Sequence, residues 1–231
     1  YNEGIYLPGC ILPSPLAAPF AQPAGMTKVH MVDRDLSVAD AEQLITLTGT
    51  YLNTVDRLQV MKAFEFARRE HGNQRRMTGE LFFTHPLMVA IYLAEYRLDA
   101  AAISAALLHD IAEDTRISLE QISDEFGPEV ARLVDGVTKL KEVTSGVAKE
   151  DRALTAEEVQ QATLRKLLHA MTADVRVVII KLFDRLHNMR TIRGMAPHRQ
   201  RAKAEETLSV YAPLAYRLGM WNVKSELESL S

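Results

Sequence analysis

The amino-acid sequence predicts an all-α fold, a bundle-like domain of connected helices. Apolar residues recur at the three- and four-residue spacing of a helix in almost every segment after Leu36. Capping residues, or prolines suited to a first helical turn, precede many of these segments. The run VRVVIIKLF is rich in β-branched residues and could form a strand, but helical spacing continues beyond it and no partner strand is evident. Helix is therefore the better interpretation of this run as well.

The N-terminal third is predicted to contain an arm, two helices and a loop. Residues 1–34 are predicted to be a flexible arm, because prolines interrupt the apolar leader ILPSPLAAPFAQPAG and no basic segment precedes it, as a signal peptide would require. Helices are predicted over 38–52 and over 56–70, the second ending near Gly72. The segment NQRRMTGELFFT breaks the helical spacing, which predicts a loop.

The central elements are predicted from their start signals. Pro86 fits the first turn of a helix over 86–96, which places His85 at or beside its N-cap. Asp99 is predicted to cap the next helix, which contains AALLHDIAEDT. Ser118 and Gln121 have the spacing of a capping box, and Gly127-Pro128 precedes the helical sequence PEVARLVDGVTKL.

The C-terminal elements follow a segment without helical period. Residues 141–154 mix charge, glycine and serine and are predicted to form a loop, after which a capping box, Thr155 with Glu158, opens a helix to about residue 171. Asp174 is predicted to start a helix that ends near Gly194. A last long helix from Pro197 must kink or end at Pro213, and a short helix is predicted over 223–230.

The composition excludes some partners. The 231-residue chain has a net charge of −3 and a pI near 6.2, which argues against wholesale binding to nucleic acid. No apolar run approaches the ~20 residues that span a bilayer. Cys10, the single cysteine, cannot form an internal disulfide, which is consistent with a reducing compartment and a cytoplasmic location.

Titratable residues directly follow a segment that has the composition of a buried helix. His109 and Asp110 come directly after AALL, and Glu113 and Asp114 follow. On a helix, Glu113 lies four residues after His109 and Asp114 four residues after Asp110, so each of these two pairs shares one face. A solvated helix end would explain the two acidic residues. It does not explain why His and Asp come immediately after core residues, because a buried carboxylate requires a partner.

Asp184 is a second polar residue on an otherwise apolar helix. Asn188 and Thr191 lie four and seven residues later and form a stripe with it. The alternative is a satisfied buried aspartate, paired with Arg185 or Arg190.

These features together predict a metal site. His85, His109, Asp110 and Asp184 supply two imidazoles and two carboxylates. This mixed nitrogen and oxygen donor set leaves positions open on an octahedral ion, and suits Mn²⁺ or Fe²⁺ better than a closed structural zinc site. The cation would be the charge partner that buried carboxylates require.

Five segments, in this order, closely resemble the hydrolase (HD) domain of the RelA/SpoT homologues: GELFFTHPLMVA, AALLHDIAEDT, FGPEVARLVDGVTKL, IKLFDRLHNMRT and ETLSVYAPLAYRLGMWNVKSELESL. The resemblance covers about residues 55–231. It implies an HD-domain fold over 35–220 and Mn²⁺-dependent removal of the 3′-pyrophosphate from ppGpp or pppGpp. It also implies that 221–231 begin the connection to a synthetase domain, with synthetase and regulatory domains as partners beyond this chain.

The resemblance also implies roles for individual residues. His85, His109, Asp110 and Asp184 match the family's metal ligands, and Glu113 and Asp114 match its catalytic acidic pair. The positions that match substrate contacts are Arg76, Thr78, Asn188 and Thr191. The sequence departs from the family pattern at Met77, at HGNQ and at Phe183, and none of these is an implied ligand.

Two other functions are compatible with an HD pattern. One is another HD phosphohydrolase acting on a different nucleotide or phosphate ester. The other is a non-catalytic HD module that regulates an attached synthetase. The segments RMTG and NMRT outside the metal pattern argue against the first, and the presence of all six implied ligand and acidic residues argues against the second.

Overall fold

The computed structural model describes residues 38–76, 79–146 and 173–231, together with positions 158, 161, 165, 167, 169 and 170. The elements of the three continuous ranges are helical, as the sequence predicts. They are α1 (Val38–Gly49), α2 (Thr54–His71), α3 (Thr84–Glu95), α4 (Ala100–Leu108), α5 (Ile111–Asp114), α6 (Leu119–Phe126), α7 (Pro128–Gly146), α8 (Val175–Arg190), a 3₁₀ turn (Ile192–Gly194), α9 (Pro197–Glu206), a π-helical turn (Thr207–Tyr211), α10 (Ala212–Arg217) and α11 (Trp221–Leu230). The all-α prediction is confirmed.

Helices α3 and α4 form the centre of the core. Every residue of α4 is buried, and so is every residue of α3 before Glu95. Helix α3 packs against α1, α4 and α8, while α4 packs against α2, α3 and α7. Asp99 caps α4, because its side chain accepts a hydrogen bond from the Ala102 amide at 2.9 Å. The apolar composition of these two helices is explained by their burial on all sides.

The segment AALLHDIAEDT departs from the predicted continuous helix. Helix α4 ends at Leu108, and α5 is a single turn that starts at Ile111. Between them, Asp110 has φ −92° and ψ −11°, in the sparsely populated bridge region where many functional residues lie. The prediction of one helix through His109 and Asp114 is therefore wrong, and the two acidic residues belong to a separate turn, α5.

The loop predicted over 141–154 is wrong for its first part, because α7 continues to Gly146. Lys and Glu at 141–142 are good helix formers, and residues 141–145 contain no proline or glycine. Residues 147–154 and the predicted cap Thr155 lie outside the described residues. The capping box at Ser118 and Gln121 is present as predicted.

Helix α8 passes through the core with the β-branched run in helical conformation. Asp174 caps it by accepting a hydrogen bond from the Arg176 amide at 3.0 Å, and Val177 to His187 are all buried. Phe183 fills space beside the rings of Tyr92 and Tyr96, at centroid distances of 5.9 and 5.0 Å. The strand interpretation is excluded, and α8 can carry side chains directly towards α3 and α4.

Pro213 widens the long C-terminal helix rather than ending it. Between α9 and α10 the chain makes one π-helical turn, Thr207–Tyr211. Proline has no amide hydrogen, and its ring clashes with the carbonyl four residues before it, so the wider turn accommodates it. Helix α11 then packs against α8 and α10, with Val223 and Leu227 buried. Among the residues that the structure describes, no helix has the length and apolar composition needed to cross a membrane.

Candidate metal centre and its cavity

Three helices bring the predicted metal ligands together. His85 is the second residue of α3, His109 and Asp110 form the break between α4 and α5, and Asp184 lies in the middle of α8. All four side chains are buried. The packing of α3 against both α4 and α8 is therefore what places residues from distant parts of the sequence in one site.

The distances fit a single small cation. His85 Nε2 lies 3.2 Å from Asp184 Oδ1, and one ligand atom from each of His85, His109 and Asp184 falls within 4.8 Å of the others. Two metal–ligand bonds of about 2.0–2.2 Å span about 4.4 Å at most, so one ion can contact all three with small adjustments. Asp110 is not in this group of three, but its Oδ2 lies 3.4 Å from His109 Nε2 and 3.9 Å from His85 Nε2.

The tautomer of His109 follows from its backbone partner. Its Nδ1 lies 2.7 Å from the Ala106 carbonyl oxygen. Because a carbonyl only accepts, Nδ1 must carry the hydrogen, and the lone pair of Nε2 faces Asp110 and the site. A hydrogen bond of this kind is the usual way in which proteins orient a metal-binding imidazole.

Burial favours the neutral form of the His85 and His187 imidazoles. It lowers the pKa of His85 below its usual value, although the hydrogen bond and charge of Asp184 act in the opposite direction. His187, whose Nδ1 lies 2.8 Å from His85 Nδ1, has its pKa held well below the usual value by burial and then by the charge of His85. Neutral imidazole is the form that binds a metal.

Asp184 is ionised because cations and donors surround it. Burial alone would raise its pKa, but the ammonium of Lys181 and the hydrogen bond from His85 hold the pKa well below its usual value. Lys181 Nζ donates to Oδ2, and Asn188 Nδ2 donates to Oδ1. Arg185 and Arg190, the partners of the alternative interpretation, instead pair with Glu206 and Glu226.

Lys181 is a site residue that sequence reasoning missed. It is buried and keeps its charge, because Asp184 raises its pKa although burial acts to lower it. A signal was present, since a lysine inside VVIIKLF lies three residues before Asp184, on the same face of a helix.

A cavity of about 430 Å³ opens onto the cluster. Its lining residues are Arg76, Phe82, His85, Asp110, Asp114, Lys181, Asp184, Arg185, Asn188, Lys203 and Glu206. Acidic and basic groups thus share one polar cavity. This cavity can hold a cation at the His85, His109 and Asp184 cluster and an anionic ligand beside that cation.

The remaining predicted residues divide into two groups. Arg76, Asn188 and Asp114 line the cavity, and Arg76 Nη2 donates to Asn188 Oδ1 at 3.3 Å. Glu113 is exposed and is not among the lining residues, and Thr191 donates its hydroxyl hydrogen to the His187 carbonyl at 3.0 Å. Thr78 lies outside the described residues.

Additional cations on α8 and α9 were not predicted from the sequence. Arg185 Nη2 lies 2.7 Å from Glu206 Oε2, and its guanidinium lies 4.1 Å from the centre of the Tyr211 ring in the π-helical turn. Lys203 lies nearby on α9, and burial followed by the charge of Arg185 lowers its pKa. The sequence predicted a long helix from Pro197 but gave no indication that one side of it faces the site.

Comparison with known proteins identifies the family of the chain. A protein-family model described as an HD domain matches residues 63–221. A probable GTP pyrophosphokinase of Mycobacterium leprae is 52% identical over 172 residues, which are 74% of this chain and 21% of that protein. A guanosine-3′,5′-bis(diphosphate) 3′-pyrophosphohydrolase of Haemophilus influenzae is 48% identical over 165 residues, 71% of this chain and 23% of that protein. The chain thus spans about a fifth of the length of these curated relatives.

A solved structure has the same fold over most of the chain. It is described as a metazoan ortholog of SpoT that hydrolyses ppGpp, and it superposes with a TM-score of 0.56 at 25% identity, covering 78% of this chain and 95% of that one. The match to the HD family model covers more than half of the present sequence, and the two curated relatives are a GTP pyrophosphokinase and a ppGpp pyrophosphohydrolase. The chain therefore belongs to the HD domain family, in the branch of the RelA/SpoT homologues.

Proposed function

We propose that this domain hydrolyses ppGpp and pppGpp at the 3′-pyrophosphate, giving GDP or GTP and pyrophosphate, with Mn²⁺ as its cofactor. The observation that carries the proposal is the buried His85, His109 and Asp184 cluster at one end of a cavity that also presents cationic side chains. A relative and a structural neighbour named for this activity support it.

His85, His109 and Asp184 would hold the ion, and Asp110 would complete the donor set from its position beside His109. Two imidazoles and two carboxylates form the mixed donor set that accommodates Mn²⁺ with coordination positions left open. When bound, the ion supplies Lewis-acid charge to a phosphoryl oxygen and favours deprotonation of water.

The acidic residues of α5 would act as general base and general acid in the reaction. Water attacks the phosphorus attached to the ribose 3′-oxygen, the bond between that phosphorus and the 3′-oxygen breaks, and the departing oxygen takes up a proton. Asp114 lines the cavity, and its carboxylate would orient and deprotonate the attacking water. Glu113, on the same helical turn, would act as the second member of the pair and serve the departing oxygen.

The cations of the cavity would bind the phosphates. Arg76 lies at the cavity wall, and guanidinium groups bind phosphate through two parallel hydrogen bonds. Arg185 and Lys203, which also line the cavity, add two further cations. Asn188, Thr191 and Thr78 are proposed nucleotide contacts on the strength of the family resemblance, and for Thr191 this requires its hydroxyl to leave the His187 carbonyl.

The limits of the domain are also a proposal. We place the hydrolase domain at 35–220, after an arm at 1–34. Residues 221–231, which include all of α11, would begin the connection to a synthetase domain, and Val223 and Leu227 of this helix are buried. A domain of this kind is expected in the cytoplasm, where guanine nucleotides are its substrates.

The test is incubation of the purified protein with Mn²⁺ and a panel of nucleotides, followed by chromatographic separation of the products. The proposal expects ppGpp and pppGpp to be consumed, with GDP or GTP and pyrophosphate formed in equal amounts, and GTP, ATP and simple phosphate esters to be left intact. Turnover of the panel without preference would favour a general HD phosphohydrolase. Tight binding of ppGpp without turnover would favour a regulatory module.

A further inference from the structure

We propose that His187 is a positioning residue that selects the tautomer of His85 able to bind the metal. The proposal rests on the metal centre of the proposed function and extends it to a residue that the sequence did not single out. His187 lies three residues after Asp184 on α8, and both its ring and that of His85 are 2% exposed.

The contact between the two rings requires one shared hydrogen. Their Nδ1 atoms lie 2.8 Å apart, with the ring centres 4.8 Å apart and the planes at 55°. Two nitrogen lone pairs repel at this distance, and so do two N–H groups. One ring must therefore donate, and the other must accept.

The direction of this hydrogen bond decides what His85 presents to Asp184. If His85 Nδ1 donates, its Nε2 carries a lone pair that points towards Asp184 and can bind a cation. If His187 Nδ1 donates, His85 Nε2 carries the hydrogen and donates it to Asp184 Oδ1 at 3.2 Å, which blocks the ligand position. Both arrangements satisfy the contact between the two Nδ1 atoms, and they contain the same number of protons.

His109 provides the contrast. Its Nδ1 partner is the Ala106 carbonyl, which can only accept, so its tautomer is fixed with or without metal. His187 can accept or donate. In the protein without metal it can donate and keep His85 bonded to Asp184, and with metal it can accept and hold the His85 ring in place for coordination. Ligand imidazoles depend on such partners for affinity.

The test compares His187→Leu with His187→Asn by titration of Mn²⁺. Asparagine carries a donor and an acceptor on Cγ, where the Nδ1 of histidine is attached, whereas leucine carries neither. Loss of a partner to a ligating histidine typically weakens metal affinity by about 10- to 100-fold. We expect this loss in His187→Leu and recovery of most of the affinity in His187→Asn. The unfolding of both variants in chelator is measured in parallel, so that packing losses are counted separately.

A spectroscopic measurement on the unsubstituted protein tests the same point without any variant. The ¹⁵N–¹H correlation spectrum of the imidazole rings is recorded in chelator and with diamagnetic Zn²⁺. We expect the proton of His85 on Nε2 in chelator and on Nδ1 with Zn²⁺, while His109 keeps its proton on Nδ1 throughout. Protonation of His85 Nε2 in the Zn²⁺ form would overturn the proposal, as would equal Mn²⁺ affinities for His187→Leu and the unsubstituted protein.

The outcomes separate this inference from the proposed function. A protein that binds Mn²⁺ with the expected dependence on His187 but leaves ppGpp intact would support the positioning role and contradict the hydrolase. A protein that turns over ppGpp with Mn²⁺, and does so with unchanged metal affinity in His187→Leu, would support the hydrolase and contradict the positioning role. A protein that binds no Mn²⁺ contradicts both.

Discussion

Arg76 is held at the cavity wall by neighbouring side chains. Its Nη2 donates to Asn188, Nη1 lies 3.6 Å from Glu80 Oε1, and the guanidinium lies 5.7 Å from the centre of the Phe82 ring. Because Asn188 also donates to Asp184, Arg76 is linked to the metal cluster through one intervening side chain. A change at Arg76 is therefore expected to alter substrate binding more than metal binding.

Arg76→Ala should raise KM for ppGpp by about 10- to 100-fold, because a hydrogen bond to a charged group contributes about 1.5–3 kcal/mol. Mn²⁺ content should stay near that of the unsubstituted protein. Arg75→Ala is the matched control, because Arg75 donates to the Gly79 carbonyl and does not line the cavity. Steady-state kinetics with metal analysis would check both. Equal effects of the two substitutions would show that the loop acts only through its total charge.

The acidic pair of α5 should respond unequally to neutral substitution. Asp114 lines the cavity and Glu113 does not, so Asp114→Asn should lower kcat more than Glu113→Gln. Loss of general acid–base help costs about 10²–10⁴ in rate, and this range is expected for Asp114→Asn with Mn²⁺ still bound. Asp110→Asn should lose metal and activity together. Normal turnover by both α5 variants would show that the two acidic residues are a solvated helix end without a catalytic role.

Glu95 should make stability depend on pH. Burial, and to a lesser degree the charge of Glu226, raise its pKa from 4.5 to about 7, although Arg190 acts to lower it. The folded protein therefore binds a proton that the unfolded chain releases between these values, and the free energy of unfolding falls as pH rises through this window.

Glu95→Gln keeps a neutral side chain at every pH and should escape this loss. Its melting temperature should match that of the unsubstituted protein near pH 4 and exceed it near pH 8. Glu205→Gln, which removes an exposed carboxylate, is the control for the change in net charge. A difference between Glu95→Gln and the unsubstituted protein that is constant over this range would contradict the assignment.

The individual residues of the site were predictable to different extents. His85, His109, Asp110 and Asp184 stand out because they interrupt or follow apolar helices, and the family resemblance supplies their common purpose. Lys181 was not predicted because its partner depends on side-chain direction within one helix. The contact of His187 with His85 depends on how α8 packs against α3, which no local pattern contains.

The contact between α7 and α8 depends on the absence of a side chain at Gly136. A Cβ at this position would lie 2.8 Å from Val177 Cγ2 and 3.3 Å from Cγ1. Valine is branched at Cβ and stiff, so it cannot turn aside cheaply, and α8 would have to move. Displacement of α8 would disturb Asp184, which lies two helical turns further along the same helix.

Gly136→Ala should therefore lower the free energy of unfolding, even though alanine favours helix. Overpacking typically costs about 1–3 kcal/mol, against about 1 kcal/mol gained from helix propensity. Gly49→Ala in α1 is the matched control, because its Cβ would meet nothing nearer than Arg57 Cζ at 3.8 Å. It should be neutral or slightly stabilising. Denaturant unfolding of both variants distinguishes crowding from propensity, and a stabilised Gly136→Ala would contradict the packing argument.

Helices were predictable where local chemistry determines them. The caps at Asp99, Ser118 and Asp174 are visible in the sequence and present in the structure. The break after Leu108 was not predicted, because its side chains also suit a continuous α-helix. At Pro213 the sequence predicted a kink or an end, but not a π-helical turn. Both irregularities lie beside the cavity: the first turns His109 and Asp110 into the site, and the second adjoins Glu206.

The complete fold brings three distant sequence segments together in one candidate metal centre. Helix α3 contributes His85, the break after α4 contributes His109 and Asp110, and α8 contributes Asp184. The order of these segments could be recognised by family resemblance, while their distances required the packed molecule. Because the ligands come from separate elements, a bound ion should also stabilise the fold, by about 2.7 kcal/mol at a free concentration 100 times its Kd.

Metal reconstitution is the most direct test of whether this centre supports hydrolysis of ppGpp. Protein stripped of metal is titrated with Mn²⁺ in the presence of ppGpp, and the products are followed by ³¹P NMR, with His85→Ala as the control. We expect no turnover without metal, release of pyrophosphate and GDP that saturates at about one Mn²⁺ per chain, and no recovery in His85→Ala. Stripped, folded protein that leaves ppGpp intact at every Mn²⁺ concentration, or His85→Ala that recovers full turnover, would contradict the claim.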